Sequence, residues 1–243
     1  LAYVQAVGVE VAPHNVQVSP DGKVVWVTNN GEPAQTADAS EHKEMAQGSH
    51  DAMGKPGAVW AIDTATNAVV AKVPVGMHPA HVVVSPDGRF AYITNGGDNT
   101  VSVIDTAARS LVATIPVGKS PAGVVVSDRA GKVFVSNPES KSISVIDLAS
   151  NRVIDSIDAG RGPVGIDAAP DGRRLYVADW YANALLVFDA ATHRRIGEVP
   201  VGKAPAGVAV APNGVLIYVA NRDDDSIGIV DAATLRQVAT VAV

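Results

Sequence analysis

Short apolar runs alternate with turn residues along almost the whole chain, and their spacing repeats. Several runs end in an aspartate and are followed by a turn, and the next run begins with β-branched residues. Other runs are separated by Pro-Asp-Gly-like sequences such as "SPDGK" and "SPDGR", which are typical of hairpin turns. The repeated aspartates lie 42 residues apart, at Asp63, Asp105, Asp147, Asp189 and Asp231.

One unit is therefore repeated five times, and each unit predicts four short antiparallel strands. Four strands in about 42 residues is the size of a β-propeller blade. We therefore predict an all-β fold, with residues 1–243 forming a single β-propeller domain. Residues 2–11 predict one extra N-terminal strand, so the five repeats belong either to a six- or seven-bladed ring or to a smaller ring with a spare strand.

The second strand of each unit carries a recognisable motif. It reads "WVTN" (26–29), "YITN" (92–95), "FVSN" (134–137), "YVAD" (176–179) and "YVAN" (218–221). These segments resemble the YVTN repeats of YncE-like and surface-layer β-propellers. The resemblance implies an exported bacterial or archaeal protein, periplasmic or extracellular, and commonly seven blades. It does not imply an activity, because propellers include enzymes, cofactor proteins and binding modules.

Residues that recur in every unit are best explained by what every blade needs. The five aspartates precede turns such as "TATN", where a carboxylate accepts backbone N–H bonds two or three residues further on. A catalytic carboxylate is needed only once, so we interpret the repeated aspartates, and the asparagines that end the second strands, as structural. We expect function where the repeat is broken.

The largest break is an insertion in the first unit, at residues 31–57. Asn29 and Asp63 are 34 positions apart, whereas the corresponding residues of the other units are 10 apart, so 24 residues have been added. The insertion contains the stretch "SEHKEMAQGSHDAMGKP", with the pattern His-x-x-Met twice. These four candidate metal ligands are His42, Met45, His50 and Met53.

A second break lies at the start of the innermost strand. Units three to five have a glycine after "PA" or "PV", whereas unit one has Asn15 after His14, and unit two has His81, with His78 just before its proline. In a four-stranded antiparallel blade, the connection into strand one and the connection between strands two and three lie at the same end. We therefore expect His14, His78 and His81 to share a face with the insertion. His193 falls at the opposite end, and we interpret it as a solvated turn residue.

Imidazole together with thioether sulfur favours copper, since thioether is a soft ligand for Cu(I) and imidazole also binds Cu(II). Zinc is the alternative, through histidines with the acidic residues of the insertion. The alternative without a metal is that the insertion is a solvated loop and that His14 and His81 only form hydrogen bonds at a channel mouth. Weaker departures are Trp180 and Tyr181, which are candidate contacts for a partner, and the run Asp223–Asp225, a candidate cation site.

Composition narrows the possible functions. The net charge of −6 and the scattered Lys and Arg argue against nucleic acid as a partner, and no apolar run is long enough for membrane insertion. The chain has no cysteine, so thiolate nucleophiles and Cys-based metal sites are excluded. The chain has no G-x-S-x-G motif, which would indicate a hydrolase, and we favour a non-enzymatic protein.

The leading hypothesis is an exported copper-binding propeller that carries or buffers metal, or serves a periplasmic redox enzyme or metal-transport protein. The alternatives are a metal-independent interaction scaffold of the surface-layer type, and a haem- or quinone-linked propeller with an axial histidine at the channel mouth.

Overall fold

The computed structural model describes residues 6–9, 12–30 and 56–243, and these residues form five four-stranded antiparallel sheets, each of which is one blade. Blade 1 contains β1 (Pro13–Val18), β2 (Val24–Asn29), β3 (Ala58–Asp63) and β4 (Val69–Pro74). Blade 2 contains β5 (Pro79–Val84), β6 (Phe90–Asn95), β7 (Thr100–Asp105) and β8 (Ser110–Pro116). Blade 3 contains β9 (Val124–Ser127), β10 (Lys132–Asn137), β11 (Ser142–Asp147) and β12 (Arg152–Asp158).

The last two blades follow the same order. Blade 4 contains β13 (Pro163–Ala168), β14 (Arg174–Asp179), β15 (Ala184–Asp189) and β16 (Arg195–Pro200). Blade 5 contains β17 (Pro205–Val210), β18 (Leu216–Asn221), β19 (Ser226–Asp231) and β20 (Arg236–Ala242). Short 3₁₀ turns lie at Asp128–Ala130 and Arg222–Asp224, and none of the described helices is long and apolar enough to cross a membrane. The predicted all-β propeller of four-stranded blades is confirmed.

The hydrophobic core lies between the blades, because each strand presents alternate residues to the two neighbouring blades. On β6, Ala91 and Ile93 pack towards blade 1, while Tyr92 packs towards blade 3. Both faces of a central blade are therefore covered. This explains why the inner strands are apolar along their whole length instead of alternating with polar residues.

The repeated aspartates behave as the sequence predicts. Asp63 accepts the N–H groups of Ala65 and Thr66 at 3.1 and 2.8 Å, and the equivalent bond recurs in all five blades. Hydrogen bonds from the Thr66 hydroxyl and backbone hold the pKa of Asp63 below its ordinary value. These carboxylates close the turn between the third and fourth strands of each blade.

The outer faces of blades 1 and 5 are uncovered in the part of the chain that the structure describes. Val16 is 59% exposed, whereas its counterpart Val82 is 1% exposed because blade 1 packs on it. Tyr218 is likewise exposed, whereas its counterpart Tyr176 is buried against blade 5. Residues 6–9 form no strand, and the rest of the predicted strand over residues 2–11 lies outside the described residues.

The end of each blade at which the chain enters its innermost strand is called here the entry end. In blade 1 the Asn30 N–H donates to Ala12 O at 3.3 Å, and the Gly57 N–H donates to Gly76 O at 3.0 Å. Asn30 precedes the insertion and Gly57 lies at its far end, so both connections to the insertion are at the entry end. This is the arrangement that the strand topology predicts.

Candidate functional site

His14 lies at the entry end on the innermost strand of blade 1, and its side chain is exposed. Its Nδ1 is 2.9 Å from the carbonyl oxygen of Ala80 in blade 2. A carbonyl only accepts hydrogen bonds, so Nδ1 carries a proton, and in the neutral ring the lone pair is then on Nε2. An imidazole held in this way by a backbone carbonyl has the usual arrangement of a metal-ligating histidine.

His81 occupies the position of Asn15 one blade further on, and it is partly buried. Its Nδ1 lies 3.4 Å from the Val124 N–H of blade 3 and accepts this bond. Burial lowers the pKa of His81, and the nearby His14 lowers it further, so the ring is neutral at pH 7. In the neutral ring Nε2 then carries the proton, so in this state Nε2 is a hydrogen-bond donor and not a metal ligand.

The remaining candidate ligands are not brought together with these two. His78 is exposed in the connection before β5, with its backbone in the left-handed region at φ 50°. Within residues 6–9, 12–30 and 56–243, no three His, Cys, Asp or Glu side chains form a metal-binding group, so His78 does not complete a three-ligand set with His14 and His81. The other four candidates, His42, Met45, His50 and Met53, lie outside the described residues.

The hydroxyl of the "TN" or "SN" motif joins neighbouring blades at the entry end, which the sequence analysis did not recognise. Thr94 Oγ1 accepts the His81 N–H at 3.0 Å and donates to Ala122 O of blade 3 at 2.8 Å. Thr28 makes the same pair of contacts between blades 1 and 2, and Ser136 makes them between blades 3 and 4. The signal was present in the motif, since the hydroxyl is replaced by alanine in the fourth and fifth units.

The weaker candidates lie at the same end. The Arg222 guanidinium lies 5.5 Å from the centre of the Trp180 ring, and Tyr181 is 66% exposed. In the acidic run, Asp224 accepts the Lys203 N–H at 2.6 Å, as Asp98 accepts the Met77 N–H in blade 2. Asp224 therefore closes a connection between blades.

His193 lies in the turn between β15 and β16, as the sequence predicts, but the prediction that it is solvated is wrong. Its side chain is 15% exposed, because blade 3 covers it. Nδ1 donates to the Asp155 carboxylate, and Nε2 accepts from Lys132 Nζ at 3.0 Å. The ring also meets Phe134 edge-on, with 6.4 Å between the ring centres. His193 thus links blades 3 and 4 at the end opposite the entry end.

Comparisons with known proteins agree with this architecture. Residues 125–214 match the family model described as a YNCE-like beta-propeller, and no curated protein matches the chain. Hydrazine synthase of Kuenenia stuttgartiensis is 20% identical, with a TM-score of 0.65 over 95% of this chain and 80% of its own. A functionally unknown protein from Desulfotomaculum acetoxidans DSM 771 is 14% identical, with a TM-score of 0.75 over 96% and 72%.

The U3-55K structure is 10% identical, with a TM-score of 0.76 over 97% of this chain and 65% of its own. Identities this low establish the fold and no more. The family match covers blades 3 and 4 and the first strand of blade 5, and it confirms the resemblance that the repeated motifs indicate. The chain is therefore a β-propeller, and residues 125–214 resemble the YncE-like family.

Proposed function

We propose that this β-propeller is an exported, non-enzymatic protein that binds copper at the entry end of blades 1 and 2, with zinc as the alternative metal. The observation that carries the proposal is the state of His14. Its Nδ1–H is held by Ala80 O, and its Nε2 keeps a free lone pair on an exposed ring. Export rests on the family resemblance alone.

The described residues supply too few ligands for a closed site, so the proposal draws its other ligands from the insertion. Both connections to the insertion lie at the entry end, beside Ala12 and Gly76, which each precede a candidate histidine by two residues. The ligands proposed there are His42, Met45, His50 and Met53. Two thioethers among them favour Cu(I) over zinc.

His81 has a secondary role in this proposal. Its Nε2 becomes a ligand only if the proton moves to Nδ1, and that state gives up the 3.4 Å contact with the Val124 N–H. We therefore expect His14 to contribute more to metal affinity than His81. A site of this kind would carry or buffer copper, or pass it to a periplasmic redox or metal-transport protein.

The test is a titration of the purified protein with Cu(I), Cu(II) and Zn(II), followed by competition with a chelator of known affinity. We expect binding tighter than micromolar that weakens at least tenfold in His14→Ala, a loss of about 1.4 kcal/mol or more. The control is His193→Ala, which removes a histidine at the opposite end and should leave metal affinity unchanged. Binding weaker than micromolar, or equal affinity of His14→Ala and wild type, would contradict the proposal.

A second set of variants identifies the metal. Met45→Leu together with Met53→Leu removes both thioethers and keeps the imidazoles, so Cu(I) affinity should fall while Zn(II) affinity stays the same. Replacing His42 and His50 by alanine should weaken both metals. If the methionine variant binds Cu(I) as wild type does, thioether ligation is wrong, and the titrations with the three ions alone decide between copper and zinc.

The alternative function is a metal-independent interaction scaffold, and one observation favours it. Tyr181 is a large exposed aromatic residue at the entry end, where such side chains commonly mark contact surfaces. This alternative predicts a partner whose binding survives chelation and is weakened by Tyr181→Ala. A haem-linked propeller is tested by the absorption spectrum of the native protein, which would show a Soret band.

A further inference from the structure

The repeat is broken a third time, in the third strand of blade 5. The position two residues after the start of this strand is Ser102 in blade 2, Ser144 in blade 3 and Leu186 in blade 4, but it is Gly228 in blade 5. Each serine hydroxyl accepts a hydrogen bond from the asparagine of its own blade, at 2.9 and 3.0 Å. Leu186 fills the same place with its side chain, which packs on Gly160 of the preceding connection. Gly228 has no side chain there, and Gln237 Oε1 lies 3.3 Å from the position that a Cβ would take.

A cavity of about 390 Å³ lies between blade 5 and the connection that leaves blade 4, and it is lined by Thr240, the strand partner of Gly228. Its volume is near the lower end of the range for small-molecule sites, about 300 to 1,000 Å³. It lies at the entry end but at the junction of blades 4 and 5, away from His14. The lining residues that matter here are Val201, Asn221, Asp224, Ser226, Gln237 and Thr240.

Asn221 is the buried polar group of this cavity, at 2% exposure. Its Nδ2 donates to Ser226 Oγ at 3.2 Å, and its Oδ1 has no hydrogen-bond partner. The equivalent asparagines of blades 2 and 3 also have an unpaired Oδ1, but the amides there are held by Ser102 and Ser144. Asn29 of blade 1 also has an unpaired Oδ1, and Asn221 differs in having a glycine, Gly228, where blades 2 to 4 have a serine or leucine.

The lining offers hydrogen-bond acceptors together with hydroxyl groups. Gln237 directs its Oε1 towards Gly228, and the Thr240 hydroxyl accepts from Gln237 Nε2 at 2.6 Å and has its own proton to donate. The Asp224 carboxylate is balanced by Lys203, which supplies its N–H at 2.6 Å and its Nζ at 3.8 Å. A neutral ligand that both donates and accepts hydrogen bonds suits this lining best.

We propose that the cavity beside Gly228 binds a small neutral polyhydroxylated molecule of monosaccharide size. Its hydroxyl groups donate to Gln237 Oε1 and accept from the Thr240 hydroxyl, while its C–H face packs on Val201. A free anion is disfavoured by Asp224, and a free cation by the existing pairing of Asp224 with Lys203. This site is independent of the metal site proposed above.

The test follows the ¹⁵N–¹H spectrum of the labelled protein during titration with glucose, galactose and mannose. We expect saturable, millimolar shifts of the Asn221 side-chain amide and the Gly228 N–H with at least one sugar. Gly228→Ser restores the hydroxyl of blades 2 and 3 and should weaken binding at least tenfold. A Cβ at residue 228 would meet only the ends of the Gln237 and Asn221 side chains, at 3.3 and 3.4 Å, so the variant should fold.

The matched control is Gly207→Ala in the same blade, where a Cβ would have no neighbour closer than 3.6 Å, and it should bind as wild type does. Thr240→Val is a second variant on an exposed strand and should weaken binding severalfold. Metal affinity should be unchanged in Gly228→Ser. The proposal is overturned if no sugar gives a saturable shift, if Gly228→Ser and Thr240→Val both bind as wild type, or if only phosphate or an ammonium compound produces the shifts.

Discussion

The junctions between successive blades fall into two kinds at the entry end. At the first two junctions a side chain on the innermost strand reaches the next blade: Asn15 Oδ1 accepts the Val82 N–H at 3.1 Å, and His81 Nδ1 accepts the Val124 N–H at 3.4 Å. Each of these bonds satisfies a backbone donor at the edge of the next sheet. The side chain therefore acts as a bridge between two blades.

At the next two junctions the same position is a glycine, and the backbones come close together. A Cβ at Gly123 would lie 2.6 Å from Val164 O, and one at Gly165 would lie 2.4 Å from Ala206 O. Blade 4 makes its side-chain bridge elsewhere, where Asp167 accepts the Val210 N–H at 2.8 Å. Burial raises the pKa of Asp167, and the hydrogen bonds from the Val210 and Ala168 N–H groups oppose that effect.

The difference changes how the histidines are understood. His81 stands where glycine allows close backbone contact in later blades, and its ring does structural work that Asn15 does in blade 1. His14 stands where the later blades have alanine or valine, and one of its ring nitrogens is free. Packing between blades therefore accounts for the histidine at position 81. It does not account for the histidine at position 14.

The largest effect should come from adding a methyl group at a glycine junction. Gly165→Ala places a Cβ 2.4 Å from Ala206 O and 3.0 Å from the Gly207 Cα, so the blades must separate. We expect a loss of about 3 kcal/mol in the free energy of unfolding, measured by urea denaturation. Gly207→Ala, with its nearest contact at 3.6 Å, should change stability by less than about 0.5 kcal/mol. Equal losses in the two variants would show that close backbone contact is not what requires glycine.

The next largest effect should come from the hydroxyl that joins blades 2 and 3. Thr94 is fully buried, and Thr94→Val leaves the His81 N–H and the Ala122 carbonyl without their partner. We expect a loss of about 2 kcal/mol by urea denaturation. Thr114→Val makes the same chemical change on the exposed strand β8 and should stay within about 0.5 kcal/mol of wild type. A loss no larger than that of Thr114→Val would show that the Thr94 hydroxyl does not stabilise the junction between blades 2 and 3.

A smaller effect should appear as a pH dependence at the junction bridged by His81. The pKa of His81 in the folded protein is below its ordinary value of 6.5, so the unfolded chain binds the proton more tightly. This contribution to stability is complete above pH 6.5 and is lost as pH falls through that value towards the folded pKa. His81→Asn, which copies Asn15, should reduce the loss of stability between about pH 8 and about pH 5. Parallel pH profiles for the two proteins would contradict this role.

The smallest effect should come from the ionic link at the opposite end of blades 3 and 4. His193→Gln weakens the contacts with Asp155 and Lys132, and Asp155 is largely exposed. We expect a coupling of about 0 to 1 kcal/mol in a double-mutant cycle with Asp155→Asn at pH 7. The hydrogen bond from His193 lowers the pKa of Asp155, so this coupling should disappear as the carboxylate is protonated at low pH. A coupling that persists there would assign the link to packing on Phe134.

Several features could be predicted because they depend on residues close together in the chain. The turn at Asp63 closes on Ala65 and Thr66, and the hairpin turn holds the Asp87 carboxylate against the Ser85 hydroxyl. Strand ends, strand order within a blade and the position of the insertion follow from such local signals, repeated five times. The common end for His14, His81 and the insertion follows from strand topology alone.

The tertiary structure alone decided which residues meet across the junctions between blades. The partner of His81 is a backbone N–H more than forty residues away, and His193 is partly covered by residues of the preceding blade. The cavity near Gly228 lies between blade 5 and the connection that leaves blade 4. The sequence determined that one unit repeats and where it breaks, since turn chemistry and strand pattern are local. The role of each break depends on the register of one blade against the next, because packing and hydrogen bonding across a junction are set by non-local contacts.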